Sequence, residues 1–326
     1  MEIQWADDHF YFREDGNLIV ALETAITALA TPLAFAPPRP MQRQELTLQF
    51  IGGSDGFDTS GITTCFLAYI AGTPHGGATL FDAAAYLRMR LGHLGVSTSH
   101  ISEVVLTHLH EDHLAGLPEL LLMGEKRVRL LTSDLICGSL LQVLSAMLDV
   151  PAEAATGLFD YYPLNPGQPL QLDGRQFESV YAVHSIPTLA VRVAGLCYSG
   201  DMRYDEAWFA RLEAQGVLSA ERRQELVHFA DDASVLVQDV GGGAIHTTLT
   251  PELLRSLTAR SQKLVLAHTS KRELPTDQPD LLSRVEFAGS GTVTAVGETI
   301  DIADDDERLE SISACPLLAR LPMAER

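Results

Sequence analysis

The segment Thr107-His108-Leu109-His110-Glu111-Asp112-His113 puts three imidazoles and a carboxylate into six consecutive positions, directly after the largely apolar run Ile101–Leu106. Imidazole nitrogens and carboxylate oxygens are the ligands that zinc and similar divalent ions take. With His at 11 of 326 residues, a His-x-His-x-Asp-His match by chance in such a chain is rare, on the order of one in a thousand. The segment therefore reads as a metal site rather than a polar surface turn. Further along, His184, Asp201 and His268 each stand just past a strand-like run: Phe177–Val183, Leu196–Tyr198 and Lys263–Ala267. Alone, each would be an ordinary strand-end, turn or core residue. Beside the His-rich segment they complete a candidate ligand set of His108, His110, Asp112, His113, His184, Asp201 and His268. Seven ligands exceed what one tetrahedral ion holds, whereas two ions sharing them keep open positions for water. The donor types suit zinc first, with manganese or iron as alternatives. His75, His93, His100 and His228 have no such context, and Glu111 is expected to face solvent.

The elements around these residues alternate between strands and helices. Phe10–Glu14, Asp15-Gly16 and Asn17–Val20 predict a hairpin on an Asp-Gly turn. The spacing of Leu18, Leu22, Ile26, Leu29 and Leu33 predicts a helix after it. Pro37-Pro38-Arg39-Pro40 is a stiff linker, so residues 1–44 form an N-terminal extension and 45–326 the main domain. A dimer arm, and hence a homodimer, is compatible with that extension. In the main domain the expected strands include Leu46–Phe50, Thr63–Ile70, Ala78–Phe81, Val104–Leu106 and Val128–Thr132, then Gln168–Leu172, Phe177–Val183, Leu189–Val193, Leu196–Tyr198, Ser234–Val240 and Lys263–Ala267. Helices are expected over Ala83–Leu94, Leu114–Met123, Leu135–Leu148, Glu206–Gln215, Ala220–Ala230 and Pro251–Arg260, the last with Thr250 as N-cap and Pro251 at its first position. A last hairpin is expected over Val293–Ile302. Strands that deliver polar residues from their C-terminal ends, interleaved with helices, make a layered α/β sandwich with the site at one rim.

A formal charge of −20 argues against a nucleic-acid polymer as partner. Cys65, Cys137, Cys197 and Cys315 are far apart with no Cys-x-x-Cys pair, which reads as reduced thiols in a cytoplasmic protein. Leu18–Ala36 contains Glu23 and Pro32 and is not expected to span a membrane.

The His-rich motif followed in order by His184, Asp201 and His268 resembles the metallo-β-lactamase fold superfamily over about residues 45–305. That resemblance implies a four-layer αββα sandwich. It also implies one ion on His108, His110 and His184, a second on Asp112, His113 and His268, and Asp201 bridging both. Asp82 in Leu80-Phe81-Asp82 is similar to the carboxylate of that family's first motif, which orients ligands; the family has a Gly soon after it, and this chain has Ala83-Ala84-Ala85. Gln238-Asp239-Val240, Ile245-His246-Thr247-Thr248 and Leu266–Arg272 are similar to the ribonuclease Z and phosphodiesterase branch. In that branch a histidine like His246, supported by an acid like Asp239, assists the leaving group; without the resemblance His246 could equally cap the following helix. The long basic arm with which ribonuclease Z grips tRNA is not visible. The resemblance thus implies a dinuclear metal-dependent hydrolase of a small phosphodiester or cyclic nucleotide, working through a metal-bridging hydroxide. Asp112 and His246 are the catalytic candidates, and Lys271 and Arg272 are by position either candidate phosphate contacts or a solvated surface pair. A lactone, thioester or β-lactam hydrolase on the same site, and a catalytically silent metal-binding module, are the alternatives.

Overall fold

Period-two alternation organises the start of the chain. In this computed structural model, which describes residues 2–6, 9–14, 17–23, 43–71, 73, 77–124, 126–269 and 285–300, β1 (Glu2–Ala6), β2 (His9–Glu14) and β3 (Asn17–Glu23) form a three-stranded sheet. β2 and β3 pair antiparallel with Glu14 opposite Asn17, the hairpin expected on Asp15-Gly16. The strand expected over Asn17–Val20 runs on to Glu23 in β3, so the helical spacing that begins at Leu18 gives way to strand over Leu18–Glu23. Leu18, Val20 and Leu22 fit a period of two as well as they fit a helix, and pairing with β2 satisfies the backbone. The rest of that expected helix lies outside the described residues. Packing divides the chain into Met1–Pro37 and Pro38–Arg326.

The second unit is built on two seven-stranded sheets. Its elements run β4 (Arg43–Gly52), β5 (Cys65–Ile70), β6 (Ala78–Phe81), α1 (Leu87–His93), β7 (Ile101–Val105), α2 (Glu111–Leu114), α3 (Leu117–Met123), β8 (Arg129–Thr132), α4 (Asp134–Leu148), α5 (Ala152–Ala155) and β9 (Asp160–Pro163). They continue with β10 (Leu170–Leu172), β11 (Arg175–Tyr181), β12 (Leu189–Val193), β13 (Leu196–Tyr198), α6 (Glu206–Ala214), α7 (Ala220–His228), β14 (Ala233–Asp239), α8 (Pro251–Arg260), β15 (Ser261–Ala267), β16 (Glu286–Phe287) and β17 (Val293–Ile300). The first sheet is ordered β17-β4-β5-β6-β7-β8-β9 and the second β10-β11-β12-β13-β14-β15-β16. In each, the first three pairings are antiparallel and the last three parallel.

The sheets face each other through an apolar core in which Phe50, Phe66 and Phe81 of one meet Leu189, Val191, Tyr198 and Val237 of the other. Phe66 stacks on Phe81 at 4.8 Å and meets Tyr198 edge-on at 5.1 Å. Strands β5 and β6 are buried along their whole length, which is why they read as continuous apolar runs rather than alternating ones. On the outer face of the second sheet, Leu254 and Leu257 of α8 pack with Leu236, Leu264 and Leu266. Thr250 caps α8, its hydroxyl accepting from Leu253 N at 3.2 Å, as expected.

Several expected boundaries move. The helix placed at Ala83–Leu94 starts only at Leu87, because Asp82 and Tyr86 take left-handed backbone conformations. The one placed at Leu114–Met123 is two short helices broken at Ala115-Gly116. A Cβ on Gly116 would sit 2.2 Å from Ala84 O, so the break lets this turn seat against the Ala83–Ala85 stretch. The final hairpin is instead one long strand, β17, which pairs antiparallel with the open edge of β4 across a bulge between Val296 and Thr299. The short edge strands β9 and β16 carry little apolar signal and were not expected.

A buried ion pair ties the sheets together away from the rim. Arg175 of β11 donates to both Glu103 oxygens of β7, at 2.6 and 2.9 Å, and Thr79 of β6 adds a third bond at 2.9 Å. Glu103 is fully buried. Arg175→Met leaves that buried carboxylate with only the Thr79 hydroxyl and the longer Arg129 contact at 3.4 Å, and is expected to lower unfolding free energy by about 3 kcal/mol, whereas the double variant Glu103→Leu/Arg175→Met recovers most of the loss. Urea unfolding of wild type and the two variants measures this, and equal stability of the two variants would refute it.

Candidate metal centre

Every candidate ligand sits on a loop that leaves the C-terminal end of a strand. Asp82 follows β6, Thr107–His113 follow β7 and run into α2, His184 follows β11, Asp201 follows β13, Asp239 ends β14 and His268 follows β15. The loops are stitched across the sandwich. Leu189 N–H donates to Thr107 O at 2.9 Å, and His268 N–H donates to the Thr64 hydroxyl at 3.0 Å.

Asp82 organises the His-rich loop. Its carboxylate accepts from Thr107 N at 2.8 Å, from the Thr107 hydroxyl at 2.9 Å, from His113 Nδ1 at 2.9 Å and from the Tyr198 hydroxyl at 3.0 Å. A carboxylate can only accept, so the proton on His113 lies at Nδ1. The Thr107 hydroxyl has given its one proton to Asp82, so it must accept from His108 Nδ1 at 2.9 Å. Both imidazoles therefore turn their Nε2 atoms to the centre. His184 is fixed in the same way, its Nδ1 donating to Ile245 O at 3.1 Å.

At the centre these atoms meet two groups of carboxylate and imidazole acceptors. His108, His110, His184 and Asp201 form one group, and Asp112, His113 and His268 another, each with ligand atoms within 4.8 Å of one another. Asp201 touches both: Oδ2 lies 3.5 Å from His108 Nε2 and 3.3 Å from His268 Nε2, and Oδ1 lies 3.2 Å from His113 Nε2. His108 Nε2, His113 Nε2 and Asp201 Oδ1 are buried with no hydrogen-bond partner. Imidazole nitrogens and carboxylate oxygens crowded together, several of them buried without a hydrogen-bond partner, fit divalent cations. Burial pushes the His113 charge down, but Asp201 and Asp82 outweigh it and hold His113 well above the ordinary imidazole range. Burial likewise opposes the charge on His268, yet Asp201 and Asp112 lift that imidazole to about 9. His184 drops to about 4 by burial. Asp112 and Asp201 resist burial and stay well below the usual carboxylate range because His113 and His268 face them.

His246 and Asp239 adjoin this centre. Asp239 is buried and accepts from Met202 N at 2.8 Å, from Gly241 N at 2.8 Å and from His246 Nδ1 at 2.8 Å. Burial raises its carboxyl above the ordinary value, against the lowering effect of the His246 bond. His246 stacks on His268 at 4.5 Å, with Nδ1 3.9 Å from Asp201 Oδ2. Gly241 permits this approach, since a Cβ there would lie 2.9 Å from His268 Nδ1. The centre opens into a cleft of about 520 Å³ whose lining includes His110, Asp112, His246 and His268.

The structure thus brings all seven expected ligands and His246 together. Glu111, His93 and His228 are exposed, and Lys271, Arg272 and His75 lie outside the described residues. The Ala83–Ala85 departure is absorbed locally: Ala83 N–H donates to His113 O and Ala83 O accepts from Gly116 N, both at 2.8 Å. The roles of Thr107, Tyr198 and Ser199 were not read from sequence. Ser199 receives Asp239 N–H at 2.9 Å. Their only signal was adjacency to the motifs, with Thr107 opening one and Tyr198-Ser199 preceding Gly200-Asp201.

Two mixed sheets flanked by helices, with ligand loops gathered at one rim, make this a metallo-β-lactamase-fold protein. Residues 46–292 match the family described as anti-Pycsar protein Apyc1, and the chain belongs to that family. It is 26% identical over 279 residues to the cGMP-dependent 3',5'-cGMP phosphodiesterase A of Dictyostelium discoideum, covering 83% of this chain and 31% of that protein. It is 29% identical over 231 residues to the cAMP/cGMP-dependent 3',5'-cAMP/cGMP phosphodiesterase B of the same organism, covering 69% of this chain and 20% of that protein. The chain therefore spans less than a third of either relative. In structure it is similar to the metallo-β-lactamase fold protein YhfI of Bacillus subtilis, with a TM-score of 0.56 at 18% identity over 77% of this chain and 99% of that one.

Asp82→Asn tests the orienting role. An amide cannot accept at both ends, so the Nδ1 protons of His113 and His108 lose their fixed acceptors. Zinc affinity, measured by competition with a chromophoric chelator, is expected to weaken about 10–100-fold. Unchanged affinity would show that the tautomers are set elsewhere.

Proposed function

We propose that this chain is a dinuclear metal-dependent phosphodiesterase acting on a small phosphodiester, with a cyclic nucleotide the best fit. The observation that carries this reading over carbonyl hydrolysis is the hydrogen-bonded pair His246–Asp239 at the edge of the ligand cluster. His108, His110 and His184 would hold one ion and Asp112, His113 and His268 the other, with Asp201 within reach of both groups. Zinc suits this donor set, with manganese and iron as alternatives. Divalent ions there supply Lewis acidity, lowering the pKa of water and offsetting charge on phosphoryl oxygens.

The remaining chemistry belongs to the chain. Asp239 is fixed by the Met202 and Gly241 amides and keeps the His246 Nδ1 proton in place. Nε2 of His246 is then the atom that carries a proton to the leaving oxygen, and the Asp239 carboxylate stabilises the imidazolium that holds it. Expelling an alkoxide from phosphorus requires such a proton. A lactone, thioester or β-lactam carbonyl would use the same ligand cluster with His246 dispensable. Membership of the Apyc1 family and similarity to two cyclic-nucleotide phosphodiesterases support the same choice. Cys65, Cys137 and Cys197 are free and buried, which supports a reducing, cytoplasmic setting. No single helix among the described residues is long and apolar enough to cross a membrane.

Purified protein is expected to carry about two divalent ions per chain, and chelation should abolish turnover. His246→Ala should lower kcat on cyclic nucleotides by about 10²–10⁴-fold while retaining both metals, and should lower it far less on bis(p-nitrophenyl) phosphate, whose nitrophenolate leaves without a proton. Elemental analysis and kinetics on parallel phosphodiester and lactone panels measure this. Turnover of lactones without turnover of any phosphodiester would overturn the proposal.

A further inference from the structure

The cleft has an apolar part that the reaction centre leaves unused. Phe57 and Ile245 line it alongside the candidate ligands. Phe57 is 95% exposed and Ile245 40%. A phenyl ring left in water forfeits the stabilisation that burial would bring.

The loop that displays Phe57 is nonetheless ordered by its own bonds. Asp55 Oδ1 accepts from Phe57 N at 2.7 Å and from Asp58 N at 2.9 Å. Asp58 Oδ1 accepts from Ser60 N at 3.0 Å and from its hydroxyl at 2.7 Å, and Asp58 O accepts from Gly61 N at 3.1 Å. The loop is also seated on the centre, for a Cβ on Gly56 would lie 2.9 Å from Asp112 Oδ2. Ile245 is anchored comparably, its carbonyl accepting from His184 Nδ1 at 3.1 Å. Each apolar side chain is thus at most one residue from backbone that touches a candidate ligand. A flat ring held in water beside an anion-binding floor suits a ligand with a phosphate at one end and a π-face at the other.

We propose that Phe57 stacks on the nucleobase of the substrate and so selects nucleotides over phosphodiesters that lack a base. This rests on the phosphodiesterase reading. Stacking recovers the ring's unused surface only when a base is present, so its contribution enters substrate binding rather than the chemical step.

The test compares metal-loaded wild type, Phe57→Ala and Phe57→Trp on adenosine 3',5'-cyclic monophosphate and on methyl riboside 3',5'-cyclic phosphate, in which a methoxy group replaces the base. Phe57→Ala is expected to raise KM for the nucleotide about 5–150-fold, the range that base–aromatic stacking supports, with kcat changed less than about three-fold. The KM increase for the base-free compound should be at least ten-fold smaller, and Phe57→Trp should restore the nucleotide KM. Equal KM shifts for both compounds, or none, would overturn the inference while leaving the phosphodiesterase reading intact. If wild type cleaves neither compound, that reading fails, and equilibrium binding of adenosine 5'-monophosphate to the same proteins decides the role of Phe57. Binding at least five-fold weaker in Phe57→Ala supports stacking; equal Kd, or no binding, overturns it. Thermal melting confirms that the substitution at this exposed position leaves the fold intact.

Discussion

Buried acceptors facing one another are what the rest of the structure has to hold in place. Asp201 Oδ1 stands 3.2 Å from His113 Nε2, its other oxygen lies near the Nε2 atoms of His108 and His268, and Asp201 Oδ1 and the Nε2 atoms of His108 and His113 are buried without a hydrogen-bond partner. An unpaired buried acceptor costs about 1–3 kcal/mol, and more when it is charged. Left to relax, the side chains would rotate apart or take up protons. They are prevented from rotating by partners that cannot themselves move: Asp82 on Thr107 and His113, Thr107 on His108, and the Ile245 carbonyl on His184. Asp82 is in turn held by Tyr198, whose ring is packed edge-on between Phe66 and Phe81. The apolar core is continuous with the polar centre through that one phenol, so packing between the sheets sets the direction of the imidazole lone pairs.

The two sheets share an arrangement that explains why the ligands converge. In each, the fourth strand in order is where antiparallel pairing gives way to parallel, β6 in the first and β13 in the second. Asp82 follows one and Asp201 the other. The next strand across, β7 or β14, delivers the His-rich loop or the Asp239–His246 pair, and β15 delivers His268. Parallel strands bring successive C-terminal ends to the same edge, and packing the sheets face to face brings those two edges together. Residues separated by more than a hundred positions thereby meet within hydrogen-bonding reach, as Tyr198 and Asp82 do.

Much of this was legible because metal chemistry demands rare residues in fixed order. His108, His110, Asp112 and His113 declare themselves by spacing alone, and His184, Asp201 and His268 by their place after apolar runs. Buried strands such as β5 and β14 read clearly because both their faces meet protein. What stayed hidden lacked that distinctiveness. Thr107 and Tyr198 are common residue types whose roles depend on which proton each gives away, a property of three-dimensional contact. β9 and β16 are short edge strands with few apolar positions, and β17 looked like half of a hairpin because its true partner, β4, lies some 250 residues earlier. The helical spacing at Leu18 and Leu22 was real, but two residues also fit alternation, and strand pairing decided it.

Charge separates small substrates from polymers on this surface. At a formal charge of −20 the chain's outer field opposes any anion. That opposition grows with the number of charges the ligand brings, while ionic screening confines it to about 8 Å at physiological salt. A cyclic phosphodiester carries one charge and can lie wholly inside a cleft of about 520 Å³, where bound cations and imidazoles dominate locally. An oligonucleotide entering the same cleft would leave most of its phosphates outside, against the acidic surface, with no counterion release to offset the repulsion. The same ligand cluster therefore favours a compact monoanion, and the face of a base is the feature by which such a small molecule can add binding without adding charge.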